Sequence, residues 1–452
     1  MSFRIERVFA VSLAALIAVG CETNQQTTQP PVAANNNTVA VNPSPSPSAS
    51  PIASPSPSPS PSEVAANAPN TVPVTLPVLD AMFADEKFAG DLKAKLGLSD
   101  EQIEKLRTTA REATGSLKEN ENGSTNAASK SADEKIRSVI GDDKAKQLAQ
   151  FVGERWNRDE EGNSNSANAS NTGSSAIPTD TRIVVNAPAY RMDVFNGGKL
   201  IKTYKIGIGY PEFPLPTGMR KASSIIFNPT WTPPDEPWVK GKVVAGQKVE
   251  AGSKLNPLGP IKIPIGMPSL IHGGKAAAKL GGFASHGCVG LTDAQVKEFA
   301  RTLAQVSNTQ ISPADLASYE KNKTETKNVK LASVVPVELR YETIVVEDGK
   351  LHIYRDVYEH GTNTEENLRK VLQANGVAFE SLSEPERAKL TTALKQMARD
   401  AEGNVAEANP NPGQKSKDAK VTRTIKGAKE VVIDLAALKG KGYPAPVNLS
   451  KG

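Results

Sequence analysis

Two segments of low complexity divide this chain and limit what it can fold into. The first lies within residues 22–76 and contains the Pro/Ser repeat NPSPSPSASPIASPSPSPSPS, and the second, residues 159–180, contains EEGNSNSANASNTGSSAIP. Such stretches hold too few apolar residues to bury a core, and their prolines favour extended polyproline conformations. The chain is therefore predicted to fold as separate units. These are a signal peptide (1–21), a helical hairpin module (77–158), two β-rich segments (181–312 and 313–361) and a helical or mixed C-terminal region (362–452).

The N-terminus has the layout of an export signal. Arg4 and Arg7 precede an apolar run over residues 8–19, and Gly20 and Cys21 follow it. The run is about a dozen residues, whereas a membrane-spanning helix needs about 20. A cysteine after a small residue resembles a bacterial lipobox, which implies that Cys21 becomes the lipidated first residue of the mature protein.

One position departs from the lipobox, since Ala18 stands where leucine is usual. A plain cleaved signal and an uncleaved anchor therefore stay as alternatives. Glu22 offers no aspartate retention signal. We expect a periplasmic protein of the cell envelope, attached to the membrane through Cys21, with the outer membrane favoured in a bacterium that has two.

Composition narrows the possible partners and the role of the second cysteine. The net charge is +5, and no basic run carries interleaved aromatic residues, so we expect no nucleic-acid partner. The chain has 2 cysteines. If Cys21 carries lipid, Cys288 is left without an intramolecular disulfide partner. A lone thiol in an oxidising compartment is exposed to damage, which favours a chemical role for Cys288.

Residues 77–158 show helical periodicity. Ser99 and Gln102 form a capping-box pattern, and apolar residues then recur at helical spacing up to Leu117. A second predicted helix carries Ile136, Ile140, Leu148 and Val152 on one face. Together the two helices predict a small hairpin.

Residues 181–361 alternate between apolar and polar residues, which is typical of strands. Asn196-Gly197-Gly198 and Asp348-Gly349 mark hairpin turns. The segment LTDAQVKEFARTLAQV predicts a helix capped by Thr292 or Asp293. Further on, residues 362–402 are predicted to be helical and KEVVIDLAAL to form a last strand.

The segment IHGGKAAAKLGGFASHGCVGL, residues 271–291, concentrates reactive side chains in a chain with few of them. It holds Cys288 and two of the 4 histidines, His272 and His286. A cysteine nucleophile needs a base and donors for a developing oxyanion. The Gly/Ala-rich stretch between His272 and Cys288 can fold back to bring them together, and Gly287 permits a tight turn at Ser285-His286-Gly287-Cys288. A zinc site is not expected, because there is one thiol and no paired ligand spacing.

These residues resemble the L,D-transpeptidase catalytic domain, the YkuD family, over residues 181–360. The supporting segments are IHGG and SHGCVGL, together with PLPTGMRKASSIIFNPTWTPP, NPLGP and VPVELRYETIVVEDGKLHIYRDVY. The resemblance implies a mostly-β, sandwich-like domain with a capping helix over 181–312, and a family-associated strand pair over 313–361. Helical regions flank this domain in a multidomain chain.

The resemblance also implies residue roles. Cys288 would be the nucleophile, His272 the base, and the Gly273 carbonyl the group that orients His272. His286, Gly287 and Cys288 would surround the oxyanion, with Ser285 shaping the loop.

Two positions depart from the family pattern. Gly290 replaces the usual arginine, and Gly274 replaces a threonine or serine. Loss of the arginine removes a fixed cation, for which Lys275 and Lys279 are nearby candidates.

The implied activity is a cysteine acyltransferase that remodels peptidoglycan without a metal or cofactor. Cys288 would be acylated by a stem peptide at a diamino acid, D-alanine would leave, and an acceptor amine would take the acyl group. The acceptor stays open between a second stem, a lysine of another lipoprotein, and water, which gives an L,D-carboxypeptidase. From another class, the alternative is a non-catalytic peptidoglycan-binding lipoprotein with a decayed site, which Gly290 favours. The sequence predicts neither the oligomeric state nor a role for residues 362–452.

Overall fold

A computed structural model describes residues 74–117, 124–156, 176–233, 243–244, 246–266, 269–399, 425 and 427–449. The predicted signal peptide, Cys21 and most of both linkers lie outside these residues. No helix within the described ranges has the length and apolar character to cross a bilayer.

The helical prediction for residues 77–158 is confirmed, with more helices than the hairpin that the sequence indicates. The helices are α1 (Leu76–Met82), α2 (Glu86–Leu96), α3 (Asp100–Gly115), α4 (Thr125–Ile140) and α5 (Asp142–Trp156). The capping box of Ser99 and Gln102 starts α3. The second predicted helix is divided at Gly141, whose φ of +79° is incompatible with a continuous helix. The four apolar residues of its predicted face are buried in the core of this module.

The central part of the chain is β-rich, as predicted. Its strands are β1 (Arg182–Asn186), β2 (Arg191–Asn196), β3 (Lys199–Lys205), β4 (Ile208–Gly209), β5 (Gly218–Phe227), β6 (Ile261–Pro264), β7 (Leu270–His272), β8 (Phe283–Ser285), β9 (Val289–Gly290) and β10 (Lys327–Arg340). Eight of them form one sheet in the order β3-β2-β1-β10-β5-β6-β7-β9, while β4 pairs with β8. The glycine turn at residues 197–198 joins β2 to β3 as the sequence predicts.

Strand β10 lies in the middle of the central sheet, although the sequence assigns its residues to the following strand pair. It runs parallel to β1 and antiparallel to β5. The predicted boundary at residue 312 therefore cuts through the sheet. Local sequence patterns carry no information on such distant pairing, which explains the misplaced boundary.

Two helices follow β9, namely α6 (Asp293–Val306) and α7 (Pro313–Lys321). Thr292 is the N-cap of α6 and forms a capping box with Gln295, as one of the two predicted caps. The apolar face of α6, with Val296, Phe299 and Leu303, is fully buried in the same core as the sheet. This packing fixes the helix start next to the end of β7.

The C-terminal region has its own small sheet and core. Strands β11 (Ile344–Glu347), β12 (Lys350–Tyr354) and β13 (Glu430–Asp434) pair in that order, and α8 (Glu365–Ala374) and α9 (Glu384–Met397) pack against them. The predicted turn at Asp348-Gly349 is present, with φ of +48° and +74°. The helices predicted over 362–402 are present within 365–397, residues 400–402 lie outside the described residues, and the predicted last strand is β13.

A buried ionic network joins this region to the central sheet. Arg191 contacts Glu347 at 2.6 Å and Asp193 at 2.9 Å. Tyr443 donates to Asp193 at 3.1 Å, and Thr203 donates to it at 2.7 Å. Burial raises the pKa of both Asp193 and Glu347 even though the guanidinium favours their charged forms. Arg191 therefore offsets part of the free-energy cost of burying two carboxylates.

We expect Arg191→Met to lower the free energy of unfolding by about 3–5 kcal/mol, because it leaves Asp193 and Glu347 buried without their cation. Urea denaturation of the variant and the parent chain measures this. Arg369→Met is the matched control, since its ion pair with Glu365 lies on the surface and such pairs contribute about 0–1 kcal/mol. Equal effects of the two substitutions would contradict the prediction.

Candidate active site

The pairing of β7 with β9 brings His272 and Cys288, the predicted base and nucleophile, to the same edge of the sheet. The strands run parallel, with Ile271 opposite Val289 and His272 opposite Gly290. Side chains alternate between the faces of a strand, and Ile271 and Val289 both point into the core. His272 and Cys288, each one residue away from these, therefore share the other face. The fold-back that the sequence predicts is present.

The surroundings of the His272 ring favour its neutral form. The residue is 3% exposed, and its Nδ1 lies 2.7 Å from the Gly273 carbonyl oxygen, the contact that the family resemblance implied. Burial, and secondarily the charge of Lys275, lower the pKa of His272 to about 3, outweighing the carbonyls of Gly273 and Leu258. The ring is neutral at pH 7. Because a carbonyl only accepts, Nδ1 carries the proton and Nε2 is the basic nitrogen.

Cys288 is a free thiol that is partly exposed. Burial by the surrounding protein raises its pKa, while the Leu270 backbone and the charge of Lys275 act in the opposite direction. The resting site therefore holds a protonated thiol and a neutral imidazole. A base that removes the proton during attack is consequently needed for nucleophilic chemistry at neutral pH.

Ser285 closes the turn that precedes β9. Its Oγ accepts from the Cys288 amide at 3.0 Å and donates to the Cys288 carbonyl at 2.5 Å. Gly287 has a φ of +88°, and its carbonyl accepts from Ser269 at 2.9 Å. The amide of Cys288 is thus used inside the turn, unlike the oxyanion role expected for it. His286 and Gly287 stay as the candidate donors.

The His286 ring is held by aromatic packing. It lies 5.1 Å from the Tyr210 ring and 4.9 Å from the Phe213 ring, both in edge-on geometry. Neither aromatic residue belongs to a motif in the sequence, and only their place in the apolar pattern after β4 indicates them. His286 thus anchors its loop through its side chain.

The loop over residues 209–213 is itself held from both flanking regions. Thr75 and Thr125 of the helical module donate to the carbonyls of Glu212 at 2.6 Å and Pro211 at 2.8 Å. Tyr358 donates to the Gly209 carbonyl at 2.9 Å. A Cβ on Gly209 would lie 3.1 Å from the Gly287 Cα, so this loop touches the turn before Cys288. The flanking regions thus support the candidate site.

Two lysines accompany the thiol and the imidazole. Lys262 pairs directly with His272 across β6 and β7. Burial lowers the pKa of Lys262 and of Lys275. Lys275 is one of the two candidate cations predicted from the sequence, whereas Lys262 was not predicted, because a single sequence offers no signal for it. Lys279, the other candidate, is exposed.

The backbone after His272 passes very close to its neighbours. A Cβ on Gly273 would lie 2.8 Å from Val296 Cγ1, and one on Gly274 would lie 2.4 Å from the Pro257 carbonyl oxygen. The Gly274 amide donates to Asp293 at 2.7 Å. Glycines therefore allow α6 to pack directly behind the histidine.

A cavity of about 390 Å³ lies beside Gly274 and Asp293, with Lys254, Lys297 and Arg301 in its wall. Neither Cys288 nor His272 lines it, so we place the chemistry at the thiol and not in this cavity. Within the described residues, no three His, Cys, Asp or Glu side chains converge as a metal site would require.

Comparison with known proteins agrees with this geometry. Residues 180–325 match the model of the L,D-transpeptidase catalytic domain, YkuD. No curated protein matches the chain significantly.

Solved structures similar to this chain include L,D-transpeptidases from three bacteria. An Enterococcus faecium catalytic domain is 18% identical, with 36% of this chain and 100% of that one covered and a TM-score of 0.24. A Mycobacterium smegmatis L,D-transpeptidase is 15% identical, with 36% and 58% covered and a TM-score of 0.22. A Mycobacterium tuberculosis one is 14% identical, with 35% and 57% covered and a TM-score of 0.20. The last two are thus matched over less than two thirds of their length.

The family match runs from the start of β1 to the residues just before β10, and it therefore includes both His272 and Cys288. Over residues 180–325, this chain therefore carries the L,D-transpeptidase catalytic domain of the YkuD family.

Proposed function

We propose that this protein is a peptidoglycan L,D-transpeptidase in which Cys288 is the nucleophile and His272 the base. The observation that carries the proposal is the β7–β9 pair. It places a neutral imidazole, oriented by the Gly273 carbonyl, on the same face as the thiol. A cysteine activated by a base whose other nitrogen is fixed by a third group is the usual arrangement for acyl transfer.

The chemistry follows from the protonation states. His272 Nε2 takes the thiol proton as Cys288 Sγ forms a bond to the carbonyl carbon of the diamino acid in a stem peptide. His286 and Gly287 are the proposed amide donors for the resulting oxyanion. The C–N bond to D-alanine then breaks, and the imidazolium returns its proton to the leaving amine. A thioester stays on Cys288. An acceptor amine attacks it, His272 takes the amine proton, and the thiol is reprotonated as the new amide is released.

The charges around the site support an anionic substrate. Lys262 and Lys275 lie beside His272 and Cys288. Burial makes each ammonium costly without a counter-charge. The terminal D-alanine carboxylate of a stem peptide is a negative group that ends close to the bond to be broken. We therefore propose that these lysines attract that end of the donor stem.

The N-terminal sequence suggests where the enzyme works. A lipid on Cys21 and the Pro/Ser-rich linker would place the domain in the periplasm, tethered to a membrane and within reach of the wall. A random coil of residues 22–76 spans about 40 Å. Shortening this linker should lower cross-linking of the wall in cells, and unchanged cross-linking would argue against a spacer role.

Acylation of the thiol tests the enzyme directly. An L,D-transpeptidase catalytic domain of E. faecium is known acylated by ertapenem, so a carbapenem is a suitable probe. We expect one drug mass to be added to the full chain carrying Cys21→Ser, and none to be added after Cys288→Ala. Because a positioned base contributes about 10²–10⁴-fold, His272→Ala should slow acylation to that extent. Intact-mass spectrometry measures both effects.

His352→Gln is the matched control, since His352 pairs with Glu430 in the C-terminal sheet and should not influence acylation. Absence of an adduct from the folded parent chain would favour the non-catalytic wall-binding protein that Gly290 suggests. A sacculus pull-down with Cys288→Ala then measures binding alone. A dimeric product from purified stem peptides supports the transpeptidase, whereas a shortened monomeric peptide identifies an L,D-carboxypeptidase.

The protonation of Cys288 predicts an unusual pH dependence. Because burial raises the pKa of this thiol, the thiolate fraction at pH 7 should be smaller in the folded chain than in the same chain unfolded in urea. The rate of alkylation by iodoacetamide should therefore rise with pH to a midpoint above the ordinary thiol value of about 8.5. The Cys21→Ser chain gives this profile for one thiol. A folded midpoint at or below the unfolded one would contradict the assigned resting state.

A further inference from the structure

The space beside Gly290 is filled by another residue. Gly290 lies opposite His272 and therefore on the same face as His272 and Cys288. A Cβ added to Gly290 would lie 2.8 Å from Lys275 Cγ, 3.1 Å from its Cε and 3.4 Å from its Cδ. The methylene chain of Lys275 thus occupies the volume that a side chain at position 290 would need. Lysine stems commonly cover such surfaces while the ammonium reaches a polar neighbour.

The backbone fixes Lys275 in this place. Its amide donates to the Leu291 carbonyl at 3.1 Å, and the Leu291 amide donates to the His272 carbonyl at 2.8 Å. Gly274 turns the chain with a φ of +78°. The backbone of Lys275 is therefore hydrogen-bonded to Leu291, the residue that follows Gly290 at the end of β9.

The charge of Lys275 acts on both reactive groups. It opposes the effect of burial on the pKa of Cys288, and it adds to the effect of burial on the pKa of His272. Burial in turn lowers the pKa of Lys275, and the charge of Cys288 opposes this. Within the described ranges, the structure records no ion pair for Lys275. The charge of Lys275 therefore favours the thiolate of Cys288 relative to the protonated thiol of the resting site.

We propose that Lys275 is the positioning cation of the Cys288 site. The absence of a side chain at Gly290 leaves the room that the Lys275 stem occupies. The lysine stabilises the thiolate as it forms and adds to the burial that keeps the imidazole unprotonated in the resting state. Lys275, in the loop after β7, thereby supplies the positive charge that the glycine at position 290 lacks. The inference rests on the proposed role of Cys288 as nucleophile, but it can be tested without acyl transfer.

Other titratable groups around the thiol have separate roles. Lys262 lies on β6 opposite His272, and His286 lies in the turn before Cys288, packed against Tyr210. Asp293, at the start of α6, is bonded to the Gly274 amide. Substitution of Lys275 leaves all of these in place, so a changed thiol titration reports on the lysine.

The test is the pH profile of Cys288 alkylation by iodoacetamide, measured by intact mass on the full chain with Cys21→Ser. Lys275→Met keeps the methylene stem over Gly290 and removes the charge. Since a nearby opposite charge shifts a pKa by at least about one pH unit, we expect the midpoint to rise by about one pH unit and the rate at pH 7 to fall about tenfold. Lys275→Arg should retain most of the parental rate. Lys279→Met, an exposed lysine four residues on, should leave the profile unchanged.

Gly290→Ala tests the packing half of the inference. Its Cβ displaces the Lys275 stem, so the midpoint should rise here too. In the double variant with Lys275→Met, the alanine should shift the midpoint little further, because the charge that it would displace has already been removed. Additive effects of the two substitutions would overturn the claim that they act through one contact. Far-UV circular dichroism and thermal melts establish that each variant is folded.

The outcomes separate this inference from the proposed function. If Lys275→Met leaves the alkylation profile unchanged while carbapenem acylates Cys288, the lysine inference is wrong and the enzyme stands. If the lysine shifts the profile but neither carbapenem nor a stem peptide acylates the parent chain, the lysine inference stands and the transpeptidase proposal fails.

Discussion

Two short strands, β7 and β9, pair in parallel, and the candidate site depends on that pairing. It sets His272 and Cys288 on one face, although fifteen residues separate them along the chain. The pair lies at the end of the central sheet and is held on its other sides as well. The Gly207 and Gly290 backbones exchange hydrogen bonds of 2.9 Å, and Ser269 donates to the Gly287 carbonyl. These contacts are mostly made by the main chain, so the positions of the thiol and the imidazole depend little on flexible side chains.

The rest of the molecule supports this edge from regions beyond the family match. Strand β10 completes the sheet from residues 327–340, and Tyr358 reaches back to the Gly209 carbonyl. The helical module contacts the same loop through Thr75 and Thr125. The turn before Cys288 touches a loop that is held from both flanking regions and has little freedom to rearrange. Such rigidity suits a reaction that requires reacting groups to be held within a fraction of an ångström.

The sequence predicts the local features of this fold well. The caps at Ser99 and Thr292 and the turns at residues 197–198 and 348–349 follow from the chemistry of a few neighbouring residues, and all are present. Features set by distant contacts escape such reasoning. The place of β10 depends on partners more than a hundred residues away, and the overlap of Lys275 with position 290 depends on a loop that returns to β9. For the site, the residues themselves predict that His272 and Cys288 meet, and the family resemblance implies which carbonyl orients His272. Their catalytic roles stay predictions, and the use of the Cys288 amide within its own turn is visible only in three dimensions.

The protonated state of Cys288 has a further consequence, which concerns chemical durability. Peroxides and other oxidants attack the thiolate far faster than the thiol, and the first product is a sulfenic acid. A second cysteine normally rescues that product by forming a disulfide. If Cys21 is lipidated, this chain has no such cysteine to offer. In that case, burial that keeps Cys288 protonated until a substrate is bound slows formation of a sulfenic acid that no second cysteine of this chain can intercept before further, irreversible oxidation.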